Sequence, residues 1–132
     1  MTDHRHSAMH HAPNAPSQYG DAFRRFATEM NEGMAKMMSD MHAPGYTGDA
    51  DIDFLAMMIP HHEGAVDMAR LLLQHGNDPV TRMLAEEIIA SQRVEIESMQ
   101  RRLADLRRGV SRSDPEGYPA LGGTRGRTVP PR

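Results

Sequence analysis

The chain has 132 residues, enough for one domain with a modest core, and it contains no cysteine, which excludes disulfides, iron–sulfur clusters and cysteine-based zinc sites. Residues 17–106 carry 15 acidic and 8 basic side chains, whereas residues 107–132 carry six arginines and two acidic side chains. The acidic central part argues against a nucleic acid as the main partner, because phosphate binding needs a basic face.

The first sixteen residues contain four of the eight histidines and show no helical periodicity, so we expect residues 1–16 to form a disordered, histidine-rich arm. They also lack the apolar stretch of a signal peptide. If Met1 is the true start, we expect a cytoplasmic protein. The alternative is that a signal peptide preceded Met1 and was removed. No apolar run approaches the ~20 residues of a membrane-spanning helix, and we expect no membrane association.

A first helix is predicted from about Tyr19, where apolar residues take the spacing of one helix face. The residues of that face are Tyr19, Phe23, Phe26, Met30, Met37 and Met41. Ala43-Pro44-Gly45 predicts its end.

A second helix is predicted to start between Gly48 and Asp53, where acidic residues suit the N-terminal end of the helix dipole. It carries two adjacent apolar stripes, which are Ile52, Leu55, Ile59, His62, Val66, Ala69 and Leu73, and Phe54, Met58, His61, Ala65, Met68 and Leu72. A face this wide is expected to contact more than one neighbour, and Pro60 is expected to bend the helix. Gly76-Asn77 predicts the end.

Asp78-Pro79 predicts the start of a third helix, with aspartate as N-cap and proline at the first helical position. The helix is expected to reach about Arg108, with one stripe formed by Ala85, Ile89, Gln92, Ile96, Met99, Leu103 and Leu106. Residues 17–108 are thus predicted to be all-α, an antiparallel array of three long helices that closes its own core or is completed by dimerisation. Residues 109–132 are expected to be a disordered tail rich in arginine, glycine and proline.

The second helix holds a concentration of potential metal ligands, formed by Asp53, Met57, Met58, His61, His62 and Met68. Residues four apart lie one above the other on a helix, so Asp53, Met57 and His61 form one row, and Met58 and His62 another. Thioether and imidazole groups suit Cu(I), and imidazole also binds Cu(II). Because the adjacent histidines point about 100° apart, they reach one ion only with help from the bend at Pro60, and otherwise serve two sites.

Ordinary packing is the alternative explanation, since methionine often fills gaps in a core. A buried imidazole, however, costs free energy unless it has a hydrogen-bonding or metal partner. The partner here is either a metal or the polar residues Gln92 and Glu95 on the third helix. In the rival interpretation the methionine-rich faces form a homodimer or partner-docking surface, and the protein binds no metal.

Two further groups suit metal capture. Met34, Met38 and Met41 form a row beside the packing face of the first helix, followed by His42, and some of these methionines are expected to be partly exposed. In the arm, removal of Met1 would place His4 third from a free amine. The amine, two amides and the imidazole of His4 would then form a square-planar Cu(II) site.

Motifs of several enzyme classes are missing. His62-Glu63 is not followed by the second histidine of the H-E-x-x-H zinc motif, and no Glu-x-x-His pair of di-iron bundles occurs. There is no P-loop and no G-x-S-x-G sequence. We therefore expect a protein that is not an enzyme.

The segment DFLAMMIPHHEGAVDMA at 53–69, followed by LAEEIIASQRVEIESMQRRL at 84–103, resembles the DUF305 family. The first matches the pattern M-I-x-H-H-x-x-A-x-x-M-A, and the second matches A-x-x-I-x-x-x-Q-x-x-E-I-x-x-M. The resemblance spans about residues 49–106. The chain departs from the family at Arg101-Arg102 and in its long arginine-rich tail, where relatives often have an aromatic residue and a short ending.

The resemblance implies a ferritin-like helical bundle without the iron ligands of ferritin. It also implies a periplasmic or secreted protein that binds copper through methionine and histidine and aids copper resistance by sequestering, buffering or transferring the metal. The ligands it implies are His61, His62, Met58, Met68 and Met99. Gln92 and Glu95 would orient the imidazoles by hydrogen bonds to the ring nitrogens that do not bind the metal.

Overall fold

The computed structural model of the chain describes residues 18–112. These residues form three α-helices and no strand: α1 at Asp21–His42, α2 at Ala50–His75 and α3 at Pro79–Arg107. The prediction of an all-α chain with three long helices joined by short turns is confirmed. The predicted arm at 1–16 and the residues of the predicted tail from 113 onward lie outside the described residues.

Local capping explains where α2 and α3 begin. Asp49 precedes α2, and its carboxylate accepts hydrogen bonds from the backbone N–H groups of Asp51 and Ile52. Asp78 accepts from the N–H of Thr81 with Pro79 at the first position of α3, as predicted. Both caps satisfy amides that have no partner within the helix.

The middle helix, α2, holds the other two. Phe26 of α1 lies against His75 of α2, with ring centroids 5.6 Å apart. On another face of α2, the Arg82 guanidinium of α3 donates to the backbone oxygens of Leu73 and Gly76, at 2.7 and 3.0 Å. Helix α2 therefore contacts two neighbours, as predicted, but it contacts α1 through Gly64 and His75 and not through the second predicted stripe.

Helices α1 and α3 do not meet. No Cα atom of α1 lies within 8 Å of a Cα atom of α3. The three antiparallel helices thus form an open layer with α2 in the middle, and they do not close around a common core. The described residues thus do not form the closed three-helix core that the sequence left open as one arrangement.

The contact between α1 and α2 depends on a glycine. A Cβ atom added at Gly64 would lie 2.5 Å from Sδ of Met37 and 3.0 Å from its Cβ, which is closer than atoms pack. Gly64 therefore allows the two helices to approach at this level. The same contact and the Phe26–His75 contact fix the antiparallel register of α1 on α2.

The buried apolar side chains among the described residues lie on α2 and α3, and they are Val66, Ala69, Ala85, Met99, Leu103 and Leu106. This confirms the predicted stripe of α3 and the first predicted stripe of α2. The second stripe of α2 is wrong as a packing face at Phe54 and His61, which are exposed because they point out between the neighbouring helices. The predicted packing of the first helix is wrong at Tyr19 and Phe23, which are exposed, and α1 has no buried residue. The physical reason is that α1 has only α2 as a neighbour, and a helix in contact with one partner buries a narrow strip.

The layer has one apolar and one polar side. With about 100° per residue, Phe54, His61 and Leu72 of α2 point out between α1 and α3 on one side. The opposite side of α2 presents Glu63, Asp67, Arg70 and Gln74, all exposed. By the same rotation of about 100° per residue, exposed apolar residues of α1 and α3 point to the side on which Phe54, His61 and Leu72 lie. We call this surface the apolar side, and define it by Phe23, Met34, Met38, Phe54, Leu84 and Ile88.

Among residues 18–112, no helix is both long and apolar enough to cross a membrane.

Candidate metal centre

His62 lies where α2 and α3 are in contact, and only 14% of its side chain is exposed. Its Nε2 is 2.6 Å from Oε2 of Glu95 on α3. Because a carboxylate only accepts hydrogen bonds, Nε2 carries the proton of this bond. In the neutral ring the lone pair is therefore on Nδ1, which is buried and has no hydrogen-bond partner.

A buried nitrogen without a partner is unfavourable, at a cost of about 1–3 kcal/mol. The arrangement also has a known chemical use. Histidines that bind metals usually donate their second ring N–H to a carboxylate or carbonyl, which fixes the ring and makes the other nitrogen more basic. The pair formed by His62 and Glu95 has this geometry, with Nδ1 as the nitrogen that would face a metal.

His61 takes a different direction from its neighbour. It is exposed and lies on the α2 face between α1 and α3, and its ring centroid is 6.0 Å from that of His62 with planes tilted by 58°. Pro60 lies within a helix that continues from Ala50 to His75. The two rings therefore diverge from one helix, as their adjacent positions predicted, and are not stacked on each other.

Two methionines lie one turn from the His62–Glu95 pair. Met58 precedes His62 by four residues on α2, and Met99 follows Glu95 by four residues on α3. Because the two helices run antiparallel, the hydrogen bond between His62 and Glu95 puts Met58 and Met99 at the same level. Met99 is buried and Met58 is half-buried, so both thioethers adjoin the contact between the helices.

The methionines of α1 reach the same part of the layer. The contact of Met37 with Gly64 puts Met41 at the level of His61, and Met38 and Met34 follow toward the α1 N-terminus. Met34 and Met38 are 41% and 48% exposed, which confirms the predicted partial exposure of this row. The two methionine groups that the sequence treats separately thus share one side of one layer.

The carboxylate of Asp53 is hydrogen-bonded to the loop before α2. Its carboxylate accepts hydrogen bonds from the N–H and hydroxyl of Thr47, at 2.9 and 2.7 Å, and from the N–H of Gly48 at 3.2 Å. These bonds hold the pKa of Asp53 below its usual range, with the Thr47 hydroxyl as the main cause. Asp53 lies nine residues before His62, about 13 Å along the helix, and it anchors the loop before α2.

The remaining predicted site residues lie at different positions relative to His62. Met57 and Met68 are half-buried on α2, one and two turns from His62, and toward α1 rather than α3. Gln92 is half-buried one turn before Glu95, with no hydrogen bond to either histidine among the described residues. His42 is exposed at the end of α1, and His4 lies outside the described residues.

Oxygen and nitrogen ligands alone do not assemble a site in the part of the chain that the structure describes. No three histidine, aspartate or glutamate side chains come together there as a metal-binding group. An ion held beside His62 by the described side chains would draw on thioether sulfur, which favours soft ions such as Cu(I).

Sequence reasoning missed a second histidine–carboxylate pair. Nε2 of His75 lies 3.5 Å from Oε2 of Glu29, beside Phe26 and a mostly apolar pocket of about 320 Å³. Glu29 and His75 are far apart in the sequence, so only the register of α1 on α2 could have indicated the pair.

These features define an all-α protein with a histidine–carboxylate pair and several thioethers on an open three-helix layer. The family model described as a domain of unknown function, DUF305, matches residues 1–103, and the chain belongs to this family. The resemblance seen in the sequence is thereby confirmed. No curated protein matches the chain.

Proposed function

We propose that this protein binds copper through histidine and methionine side chains, and that it sequesters, buffers or transfers the metal in copper resistance without catalysing a reaction. The observation that carries the proposal is Nδ1 of His62, which is buried and has no partner while Glu95 holds the other ring nitrogen. A metal bound at Nδ1 would remove the cost of this nitrogen and use the geometry that Glu95 imposes.

Each group has a chemical role in the proposal. His62 is the central ligand, and Glu95 orients its ring. The thioethers of Met58 and Met99 lie one turn from His62 and Glu95 on the contact between α2 and α3, and they suit Cu(I). His61 binds either oxidation state from the apolar side, where Met34, Met38 and Met41 supply further sulfur. Met57 and Met68 are additional candidates, whereas the carboxylate of Asp53 is already occupied.

Charge and composition support the proposal. Residues 17–106 carry an excess of seven negative charges, which raises the local concentration of cations. A chain with twelve methionines and no cysteine suits an oxidising compartment that is exposed to copper. We therefore also propose a periplasmic or secreted location, which the resemblance to the family also implies.

Replacement of both central histidines tests the assignment. The variant His61→Ala/His62→Ala should bind Cu(I) at least about tenfold more weakly, in competition with a chromophoric Cu(I) chelator, because it lacks both imidazoles. Circular dichroism should show unchanged helicity. His75→Ala is the matched control, since it removes an imidazole from the same helix about 20 Å away along the axis.

The arm has histidines of its own that would obscure the result. All variants are therefore compared in a background in which His4, His6, His10 and His11 are replaced by alanine. Equal Cu(I) affinity of the double variant and the His75→Ala control would reject the central role of His61 and His62.

A protein-interaction module without metal is the second candidate function. The exposed apolar residues Met34, Met38 and Phe54 favour it, because a surface of this kind normally contacts a partner. Native mass spectrometry with and without copper separates the two functions. A stable oligomer that takes up no copper would favour the interaction module.

A further inference from the structure

We infer that the apolar side of the layer is the interface of a symmetric homodimer, in which a second copy packs face to face and antiparallel. The inference does not depend on copper binding. It rests on the open layer, on the exposed apolar residues of one side, and on the distribution of charge along α3.

The apolar side is a surface that a helical layer normally buries. Phe54 is 59% exposed and Leu84 is 49% exposed, although both lie within long helices. The α1 residues turned to this side between Phe23 and Met41 carry no formal charge. On α3, Arg102 lies on this side, five full turns after Leu84, and Glu95 lies at its margin and is hydrogen-bonded to His62. A helix has to bury its apolar stripe against another element, and the described residues supply none here.

The size of the surface suits a dimer. Helices of 22 to 29 residues are about 33–44 Å long, and neighbouring axes lie about 8–10 Å apart. By the registers of α1 and α3 on α2, all three helices lie side by side over about 25 Å, and α2 and α3 continue together for about another 13 Å. The side therefore measures roughly 570 Å² between the outer axes. With the flanks of α1 and α3, it approaches the ~800 Å² per partner of a standard interface.

A second copy fits this surface better than a lipid membrane or an unrelated protein. Both copies present the same nearly flat apolar side, which is self-complementary under a two-fold axis. The excess of seven negative charges in residues 17–106 opposes contact with an anionic lipid surface.

The charges of α3 select the orientation. Glu87 and Arg101 are exposed on the outer flank of α3, the face turned away from α2, and neither forms an ion pair among the described residues. They lie 14 residues apart, symmetrically about Val94, which is close to the midpoint of α3. A two-fold axis at this level would place Glu87 of each copy near Arg101 of the other.

The same axis passes close to the centre of α2. The register set by His62 and Glu95 puts Val94 level with Glu63, and the midpoint of α2 lies between His62 and Glu63. The two α2 helices and the two α3 helices would then overlap over their full lengths. The exposed His61 of each copy would lie near the axis, so the dimer would bring two imidazoles to one place.

Molar mass measured by light scattering after gel filtration tests the dimer in a buffer with a metal chelator. The full chain should give twice its monomer mass of 14.7 kDa. Phe54→Glu/Leu84→Glu should give the monomer mass with unchanged helicity, because both side chains are exposed in a single layer. The control Gln74→Glu/Gln100→Glu adds the same charges to exposed positions of the same helices away from the apolar side, and it should stay dimeric.

A charge exchange tests the orientation. Glu87→Arg and Arg101→Glu should each weaken dimerisation by opposing like charges across the axis, and the double variant Glu87→Arg/Arg101→Glu should restore it. A wild-type chain with the monomer mass at about 100 µM overturns the inference, whether or not it then binds lipid vesicles or another protein. If Phe54→Glu/Leu84→Glu remains dimeric, the proposed interface is wrong. It is also wrong if the double variant Glu87→Arg/Arg101→Glu does not dimerise as the wild type does. Because no copper is present, failure here leaves the proposed function separately testable.

Discussion

At the scale of single residues, the chemistry of the layer depends on how His62 uses its two ring nitrogens. One donates to Glu95, and the other is buried without a partner. A helix core would normally exclude such a group, because an unsatisfied polar atom reduces stability. The arrangement is favourable only if something binds the free nitrogen. This is why the metal proposal depends on His62 more than on the many methionines, which pack equally well without metal.

Glu95 should be a positioning residue for copper. Glu95→Gln keeps the size of the side chain but weakens its acceptor, and we expect copper affinity to fall about tenfold, as for other residues that orient a ligand. The control is Glu97→Gln, which changes an exposed glutamate on the same helix. Competition with a chelator measures both affinities. An effect of the same size in both variants would show that Glu95 acts only through the general negative charge.

The two glycines inside helices should respond differently to alanine. Gly33→Ala meets nothing within 4 Å, so it should raise the free energy of unfolding by about 0.5–1 kcal/mol through helix propensity. Gly64→Ala places a Cβ against Met37 and should be less stable than Gly33→Ala by at least about 1 kcal/mol. Urea denaturation followed by circular dichroism measures both. Equal gains would contradict the close contact of α1 with α2.

Residue spacing predicted which methionines and histidines share a helix face, and which residues of α3 lie opposite them. It could not predict the role of Asp53. The row of Asp53, Met57 and His61 is correct for a helix, but the carboxylate turns back to Thr47 and Gly48. That bond depends on the fold of the loop before α2, where Gly48 has a positive φ, and the spacing of helix residues contains no information about it.

At the scale of elements, the start of α2 is held by a small polar network. Asp49 caps the helix and pairs with Arg112, which also contacts Asp51, so the chain after α3 returns to the start of α2. Asp53 holds the preceding loop. Hydrogen bonds hold the pKa of Asp49, Asp53 and Asp78 below the usual range of an aspartate.

These aspartates should make the helix starts sensitive to acid. Because their pKa is lower in the folded chain than in the unfolded chain, the unfolded chain takes up protons first as the pH falls. Their stabilising contribution is present above the ordinary aspartate pKa of about 3.9 and is lost below it. The Tm followed by circular dichroism should fall less steeply below about pH 4 in Asp53→Asn than in wild type, although it starts lower at neutral pH. Parallel curves would contradict the role of Asp53.

The helices themselves were predictable because their ends carry local signals, such as Asp78-Pro79 before α3 and Pro44-Gly45 after α1. The packing of α1 could not be predicted from the sequence. The spacing of Tyr19 and Phe23 shows that they share a face, but not how many helices cover that face. Both residues are exposed because the layer leaves α1 with a single neighbour.

At the scale of the whole molecule, the open layer relates the site to the proposed dimer. The sequence left a closed core and a dimer-completed bundle as alternatives, since either buries amphipathic helices. The layer leaves His61 and the α1 methionines on one uncovered side, beside the half-buried pair of His62 and Glu95. A dimer across this side would enclose the same thioethers and imidazoles that are proposed to hold copper.

The most direct test is the position of copper in crystals of the copper-loaded protein, found from anomalous scattering at the copper edge. The proposal predicts an anomalous peak within bonding distance of Nδ1 of His62, with the sulfur of Met58 or Met99 as a further ligand. A peak only at other residues, with Nδ1 of His62 free of metal, would contradict the central claim.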